Sequence, residues 1–343
     1  MEKTMRFLSI AALALVGAVM TGCSSEDNFT AQPQQQVADK GNVVTVTATV
    51  GLDEQAGTRA LTDAGVKTFA VGDKIAVVYQ NTSGTMVKAE TAALTATDIT
   101  SGGKSAKITV TMTDPKASGT VKYIYPAAMA GATDVDYTKL NSQDGSLDNL
   151  GKKFDLAVYD GNLTSEAKLP ASATLENKLS ILAVTLKNSG SSDITSTITG
   201  MTLGDGTNIY TVSRSAAAGP IYVAIQPTTS ASISITATDG SKNYAKSLTG
   251  KDYAANNGYS VSWTVKQQYS ITLTGPSSHA SLKMEFCEGD TWNDMAAKYP
   301  TYIKTSSKNN FVSFYTDGFI RDSNNNKVKK KSQIDPSATY TIQ

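Results

Sequence analysis

The amino-acid sequence predicts an all-β fold of two β-sandwich domains followed by a small α+β or β module. Three observations carry that prediction. The first is period-two alternation. In Val44-Thr45-Val46-Thr47-Ala48-Thr49-Val50 every second residue is apolar. Ile108, Val110 and Met112 repeat the pattern, as do Leu182, Val184 and Leu186, then Ile233 and Ile235, then Val261, Trp263 and Val265. The second is punctuation by clusters such as Thr82-Ser83-Gly84, Ser101-Gly102-Gly103 and Asn256-Asn257-Gly258, whose residues supply turns. The third is the abundance of Thr and Ser on the outward sites, which suits strands with one solvated face. Many short strands at this spacing build a sandwich. Helix is expected at Thr291 to Lys298, where Trp292, Met295 and Ala296 share one face behind a cap at Asp290.

The chain opens with a basic segment holding Lys3 and Arg6, an apolar stretch from Phe7 to Met20, and small residues around Gly22. An apolar run this short reads as a secretory signal peptide rather than a membrane span. Val19-Met20-Thr21-Gly22-Cys23 resembles the lipobox of bacterial lipoproteins, in which Cys23 receives a diacylglyceryl group and becomes the first residue after cleavage. The plainer alternative is an ordinary signal followed by a chance cysteine. Three acyl chains on Cys23 would anchor the protein far more firmly than one. Loss of residues 1–22 removes Glu2, Lys3 and Arg6, which takes the formal net charge from +1 to 0. Neutrality gives no electrostatic reason for nucleic acid as a partner. Residues 23–42 are rich in Gln, Ser and Asp and read as a flexible tether.

The first β-sandwich domain is expected over 43–168, ending at Lys168-Leu169-Pro170, and the second over 169–266, ending at Lys266-Gln267-Gln268. A separate module over 269–343 holds the single histidine, the second Trp and the basic run Lys327 to Lys331. Besides Cys23 there is only Cys287, so the stability of this exported chain must come from burial rather than disulfides.

The sequence offers little for catalysis. A hydrolase needs a base beside its nucleophile, and His279, the only imidazole, sits in the loop-like Gly275-Pro276-Ser277-Ser278-His279, where a surface-loop histidine is the better reading. One His and one spare Cys do not supply a usual zinc set. Gly103-Lys104-Ser105 mimics the end of a phosphate loop, but Asp98 stands at the upstream glycine position and a hairpin turn is the better reading. Asp322, Asn324 and Asn326 mimic the start of a calcium loop, yet Lys327 and Gln333 replace its glycine and final glutamate. No catalytic residue, cofactor or metal is therefore assigned. Trp292, Tyr299 and Tyr302 are candidate ligand contacts as a sugar platform, with core packing as the alternative.

Several segments resemble the fimbrillin family. Thr68-Phe69-Ala70-Val71-Gly72-Asp73-Lys74-Ile75-Ala76-Val77-Val78-Tyr79 matches its aromatic, Gly-Asp, then strand pattern. Tyr125-Pro126-Ala127, the run LENKLSILAVTL from Leu175 to Leu186, Tyr222-Val223-Ala224-Ile225-Gln226-Pro227 and a strand from Gly258 to Val265 come in the family's order. The resemblance implies transthyretin-like Greek-key sandwiches, export as a lipoprotein, and partnership with other subunits of a type V pilus. It also implies strand exchange, in which a protease removes the first strand and an extended segment of another subunit fills the groove. Here the removable strand would carry Val44, Val46, Ala48 and Val50, and an Arg-specific protease would cut between Arg59 and Ala60. The last 75 residues depart from the family's donor strand, which favours an accessory, tip or anchor role, although Tyr340 and Ile342 alternate like a donor. The expected location is the outer membrane or cell surface, with a host protein or glycan as target. The competing reading is a surface glycan-binding lipoprotein that never polymerises.

Overall fold

Alternation becomes strand throughout the described residues. The computed structural model describes residues 42–52, 67–273, 281–305, 310, 312–314 and 318–342. The first strands are β1 (Val43–Leu52), β2 (Ala76–Gln80), β3 (Met86–Glu90), β4 (Ile99–Thr100), β5 (Ser105–Thr113) and β6 (Thr120–Tyr125). After them come β7 (Ser142–Gln143), β8 (Ala157–Asn162) and β9 (Ser172–Asn177). All of these except β7 form one eight-stranded sheet in the order β3-β2-β6-β8-β9-β1-β5-β4. The protein is all-β, as its alternation requires.

The next stretch supplies β10 (Ser180–Lys187), β11 (Gly200–Gly204), β12 (Ile209–Ser213), β13 (Ile221–Ile225), β14 (Thr228–Thr238), β15 (Asn243–Tyr253) and β16 (Asn257–Thr264). The last consists of β17 (Lys266–Leu273), β18 (Leu282–Cys287), β19 (Ile303–Thr305), β20 (Val312–Phe314), β21 (Gly318–Arg321) and β22 (Thr341–Ile342). They build a three-stranded sheet β13-β10-β16, a seven-stranded sheet β18-β17-β15-β14-β11-β12-β7 and a four-stranded sheet β19-β20-β21-β22.

Three apolar cores lie among these sheets. The first gathers Val46, Val50, Ile75, Val77, Ile108, Tyr123 and Leu175. The second centres on Leu182, Val184, Val223, Ile235 and Trp263 but also takes Ala76, Val78, Ile124 and Leu156. Strand β2 therefore serves two cores, with Val77 and Tyr79 on one face and Ala76 and Val78 on the other. A strand covered on both sides needs an unbroken apolar run, which is what Ala76-Val77-Val78-Tyr79 supplies. The third core is drawn wholly from residues 271–342, among them Phe286, Trp292, Phe314 and Ile320.

Both expected domain boundaries need correction. Lys168-Leu169-Pro170 lies inside the connection from β8 to β9, and β9 still belongs to the eight-stranded sheet, so that sheet extends to Asn177. A proline beside a charged turn suggests a boundary there, whereas Leu169 is buried in the first core. Lys266-Gln267-Gln268 is no linker either. It is the start of β17, paired with β15 through Asn243↔Gln268, Tyr244↔Gln267 and Ala245↔Lys266. From Gln268 onward β17 pairs with β18, so one continuous strand passes from the seven-stranded sheet into the last core.

Local details obey the same chemistry. The helix Trp292–Lys298 is capped by Thr291, which exchanges hydrogen bonds with Asp294 in a capping box. Asp290, the expected cap, instead accepts the Cys287 N–H at 2.7 Å. Gly103-Lys104-Ser105 turns the chain from β4 into β5. Gly103 has φ +88°, and a Cβ there would stand 2.7 Å from Thr68 Cβ, so glycine is required on both counts. Among the described residues no helix is long and apolar enough to cross a membrane.

Candidate functional site

The candidate site is β1 in its groove. This strand lies antiparallel to β5 from Val43↔Thr113 to Gly51↔Ser105, and parallel to β9 from Thr49↔Ser172 to Leu52↔Leu175. Val46, Ala48, Val50 and Leu52 point into the first core and are at most 7% exposed. Burying Val46, Val50 and Leu52 contributes roughly 1.5–3 kcal/mol each. On the opposite face, Thr45 meets Thr111 at 3.1 Å and Thr47 meets Thr109 at 3.3 Å through their hydroxyls. Because β1 stands between β5 and β9, taking it out would divide the sheet into β4-β5 and a five-stranded remainder.

Both ends of the strand are held. At its start the Asp114 N–H donates to the Asn42 carbonyl at 2.7 Å, and at its end the Leu52 N–H donates to the Lys104 carbonyl at 3.0 Å. Where the described chain resumes, Lys67 is anchored. Its ammonium donates to the Asp155 carbonyl, lies 3.7 Å from the Asp155 carboxylate and sits 4.4 Å from the centroid of the Tyr125 ring. The Tyr125 hydroxyl donates in turn to Oδ2 of Asp73 at 2.5 Å. Burial first, then this bond to Asp73, pushes the Tyr125 phenol far above its ordinary range, so it stays protonated.

This anchor leaves no signal in the sequence. The Gly72-Asp73 and Tyr125-Pro126 motifs are each legible, but nothing in a single sequence says that they touch. Of the four residues named for a removable strand, Val46, Ala48 and Val50 share one buried face, with Val44 half-buried at the same face. Cys23, Arg59, Ala60 and His279 lie outside the described residues.

The terminal aromatics do not form the expected sugar platform. Trp292 is 0% exposed and packs edge-on against Tyr340 with ring centroids 4.9 Å apart, because the capped helix delivers it into the module's core. Tyr299 and Tyr302 are half-buried against the same core. The Tyr299 hydroxyl is occupied by the Glu285 N–H at 2.9 Å. The expected donor alternation at the end of the chain is also used internally. Tyr340 and Ile342 are buried in the module, and β22 pairs with β21 through Ile320↔Ile342.

Asp322 is spent on its own turn, where Oδ1 accepts the N–H groups of Asn324 at 3.0 Å and Asn326 at 2.9 Å. Among the described residues no group of three or more His, Cys, Asp or Glu is arranged to hold a metal ion.

No family model matches the chain, and no curated protein matches it. Among solved structures, the chain is similar to a fimbrial assembly protein from Parabacteroides distasonis at 8% identity and TM-score 0.35, over 66% of this chain and 95% of that one. It is similar to a candidate cell adhesion protein from Bacteroides ovatus at 12% identity and TM-score 0.35, over 71% of this chain and 96% of that one. A streptococcal ancillary pilin aligns at 8% identity and TM-score 0.23, over 78% of this chain and 79% of that one.

Proposed function

We propose that this chain is a cell-surface pilus component or adhesin of the fimbrillin type, anchored through lipid on Cys23 and released by cutting between Arg59 and Ala60. The observation that supports the reading most directly is the seat of β1: central in its sheet, alternating, and followed by the segment that contains Arg59. Cutting that segment makes β1 a separate peptide held only by non-covalent pairing. Its departure exposes the inner edges of β5 and β9 together with the apolar floor beneath Val46, Ala48 and Val50. Such an opening recruits another extended strand of the same alternation, since main-chain bonds supply affinity and the alternate pockets supply register. The fimbrillin resemblance supplies the second line of support. The last core, reached through the continuous β17, takes the part of an accessory contact module rather than a donor strand.

The test is exposure of the full mature chain to an Arg-specific protease, followed by intact-mass and size measurement. The expected products are a chain beginning at Ala60 and higher oligomers. A synthetic peptide with the Val43–Leu52 sequence should suppress those oligomers, and the same peptide carrying Val46→Asp and Val50→Asp should not. An uncut monomer, or cut chains that stay monomeric without the peptide, would overturn strand exchange.

A further inference from the structure

An open polar cavity of about 750 Å³ lies in the C-terminal module, between residues 321–329 and 332–340. Its volume falls in the range of small-molecule sites. The two carboxylates on its wall are engaged within their own turns. Asp322 is held by the N–H groups of Asn324 and Asn326, and Asp335 accepts the N–H of Ser337 at 2.8 Å and its hydroxyl at 2.6 Å. The cations of the wall outnumber them by three to two, since Arg321, Lys327 and Lys329 line it with Asp322 and Asp335.

Arg321 is the singular group. Its Nη1 donates to the Asn325 carbonyl at 2.8 Å, but its Nε is enclosed and has no acceptor. Native proteins seldom keep a buried donor unpaired unless a water or ligand completes it. Around it the wall carries the exposed amides of Asn324 and Gln333.

We infer that this cavity binds an acidic saccharide, with Arg321 taking a carboxylate or sulfate and the neighbouring amides of Asn324 and Gln333 pairing with ring hydroxyls. A guanidinium presents a planar donor fork that matches either oxyanion, with Lys329 adding charge at the rim. The amide wall distinguishes a sugar from a bare ion. This contact replaces the aromatic platform, which the burial of Trp292 removes. The inference rests on the surface-binding part of the proposed function and is independent of strand release.

The full mature chain should be tested by biolayer interferometry in 0.15 M salt against polygalacturonate, chondroitin sulfate, neutral dextran and duplex DNA. Binding is expected to polygalacturonate, chondroitin sulfate or both, which separates carboxylate from sulfate recognition, and not to dextran. Arg321→Gln should weaken it about tenfold or more. Asn324→Ala, a change on the exposed rim, should weaken it by about threefold with an unchanged thermal midpoint, which keeps the test decisive if the arginine variant misfolds. Failure to bind either acidic polysaccharide, DNA binding of equal strength, or full binding by Asn324→Ala and a folded Arg321→Gln would overturn the inference. A chain never cut at Arg59 that binds as described keeps this inference and loses strand exchange. A chain that polymerises but ignores both polysaccharides loses this inference alone.

Discussion

The Tyr125 hydroxyl reaches Oδ2 of Asp73 across 2.5 Å and ties together two motifs separated by 52 residues. The same carboxylate oxygen accepts the Ala70 N–H at 2.7 Å, closing the turn ahead of β2. Phe69 packs on the Tyr125 ring with centroids 4.9 Å apart, and the Lys67 ammonium covers it. An aromatic, a Gly-Asp turn and a Tyr-Pro strand end thus form one anchor. It fixes the chain between the segment that contains Arg59 and β2, so a cut at Arg59 would free β1 while β2 stays in place.

Tyr125→Phe tests that anchor. The ring contacts survive while the Asp73 carboxyl loses one of its two donors, which costs about 0.5–1.5 kcal/mol. A denaturant titration should show a lower midpoint with an unchanged slope. A midpoint identical to the parent protein would mean that the bond contributes nothing to stability.

Strands with one wet face are the most legible part of the chain, because Val44 to Val50 and Ile108 to Met112 carry threonine on alternate sites and leave a clear period. Strand β2 shows the limit of that signal. Its continuous apolar run announces burial on both sides but not that Val77 and Val78 belong to different cores. The Lys168-Leu169-Pro170 boundary fails for a related reason: turn chemistry marks where the chain bends and says nothing about which sheet the next strand joins. Trp292 is ambiguous in sequence because an amphipathic helix face reads alike whether it meets the protein's own core or a ligand. Pairings such as Asp73 with Tyr125, or Lys67 with Asp155, depend on contacts across long separations that one sequence does not encode locally.

Gln143 should behave as a substitute strand. Its side-chain oxygen accepts the Ala224 N–H at 2.9 Å and its amide donates to the Ala224 carbonyl at 2.8 Å, so one carboxamide satisfies both main-chain groups at the edge of β13. Gln143→Ala leaves both unpaired and should cost about 2–4 kcal/mol. Gln143→Glu keeps the shape but, once ionised, cannot donate, and buries a charge. Burial raises the folded pKa of such a group, so the glutamate variant should be more stable at pH 4 than at pH 7 relative to the parent. Equal relative stability at the two pH values would refute the edge-pairing role.

Acid stability should depend on the hairpin between β14 and β15. The N–H of Lys242 at 2.7 Å, then the N–H and hydroxyl of Ser241, hold the Asp239 carboxylate and bring its pKa from 3.8 down to about 2. A carboxylate with a lowered folded pKa stabilises fully above its unfolded value, and that contribution is lost as pH falls from about 4 towards 2. Asp239→Asn should therefore flatten the acid limb of a stability–pH profile. Superimposable limbs for variant and parent would rule out this residue as a source of acid sensitivity.

Trp292 is assigned to packing, and two substitutions separate packing from recognition. The residue has no exposed surface, and its ring Nε1 has no hydrogen-bond acceptor. Trp292→Ala should cost about 3–5 kcal/mol by opening a cavity in the module's core. Trp292→Phe retains much of the apolar volume and removes the unpaired N–H, so it should lose far less, and any polysaccharide retention by the parent protein should persist in it. Thermal unfolding and retention measured on the same samples decide the matter. If Trp292→Ala unfolded like the parent protein while losing its polysaccharide, the ring would have to reach solvent in the working state and its assignment to the core would fall.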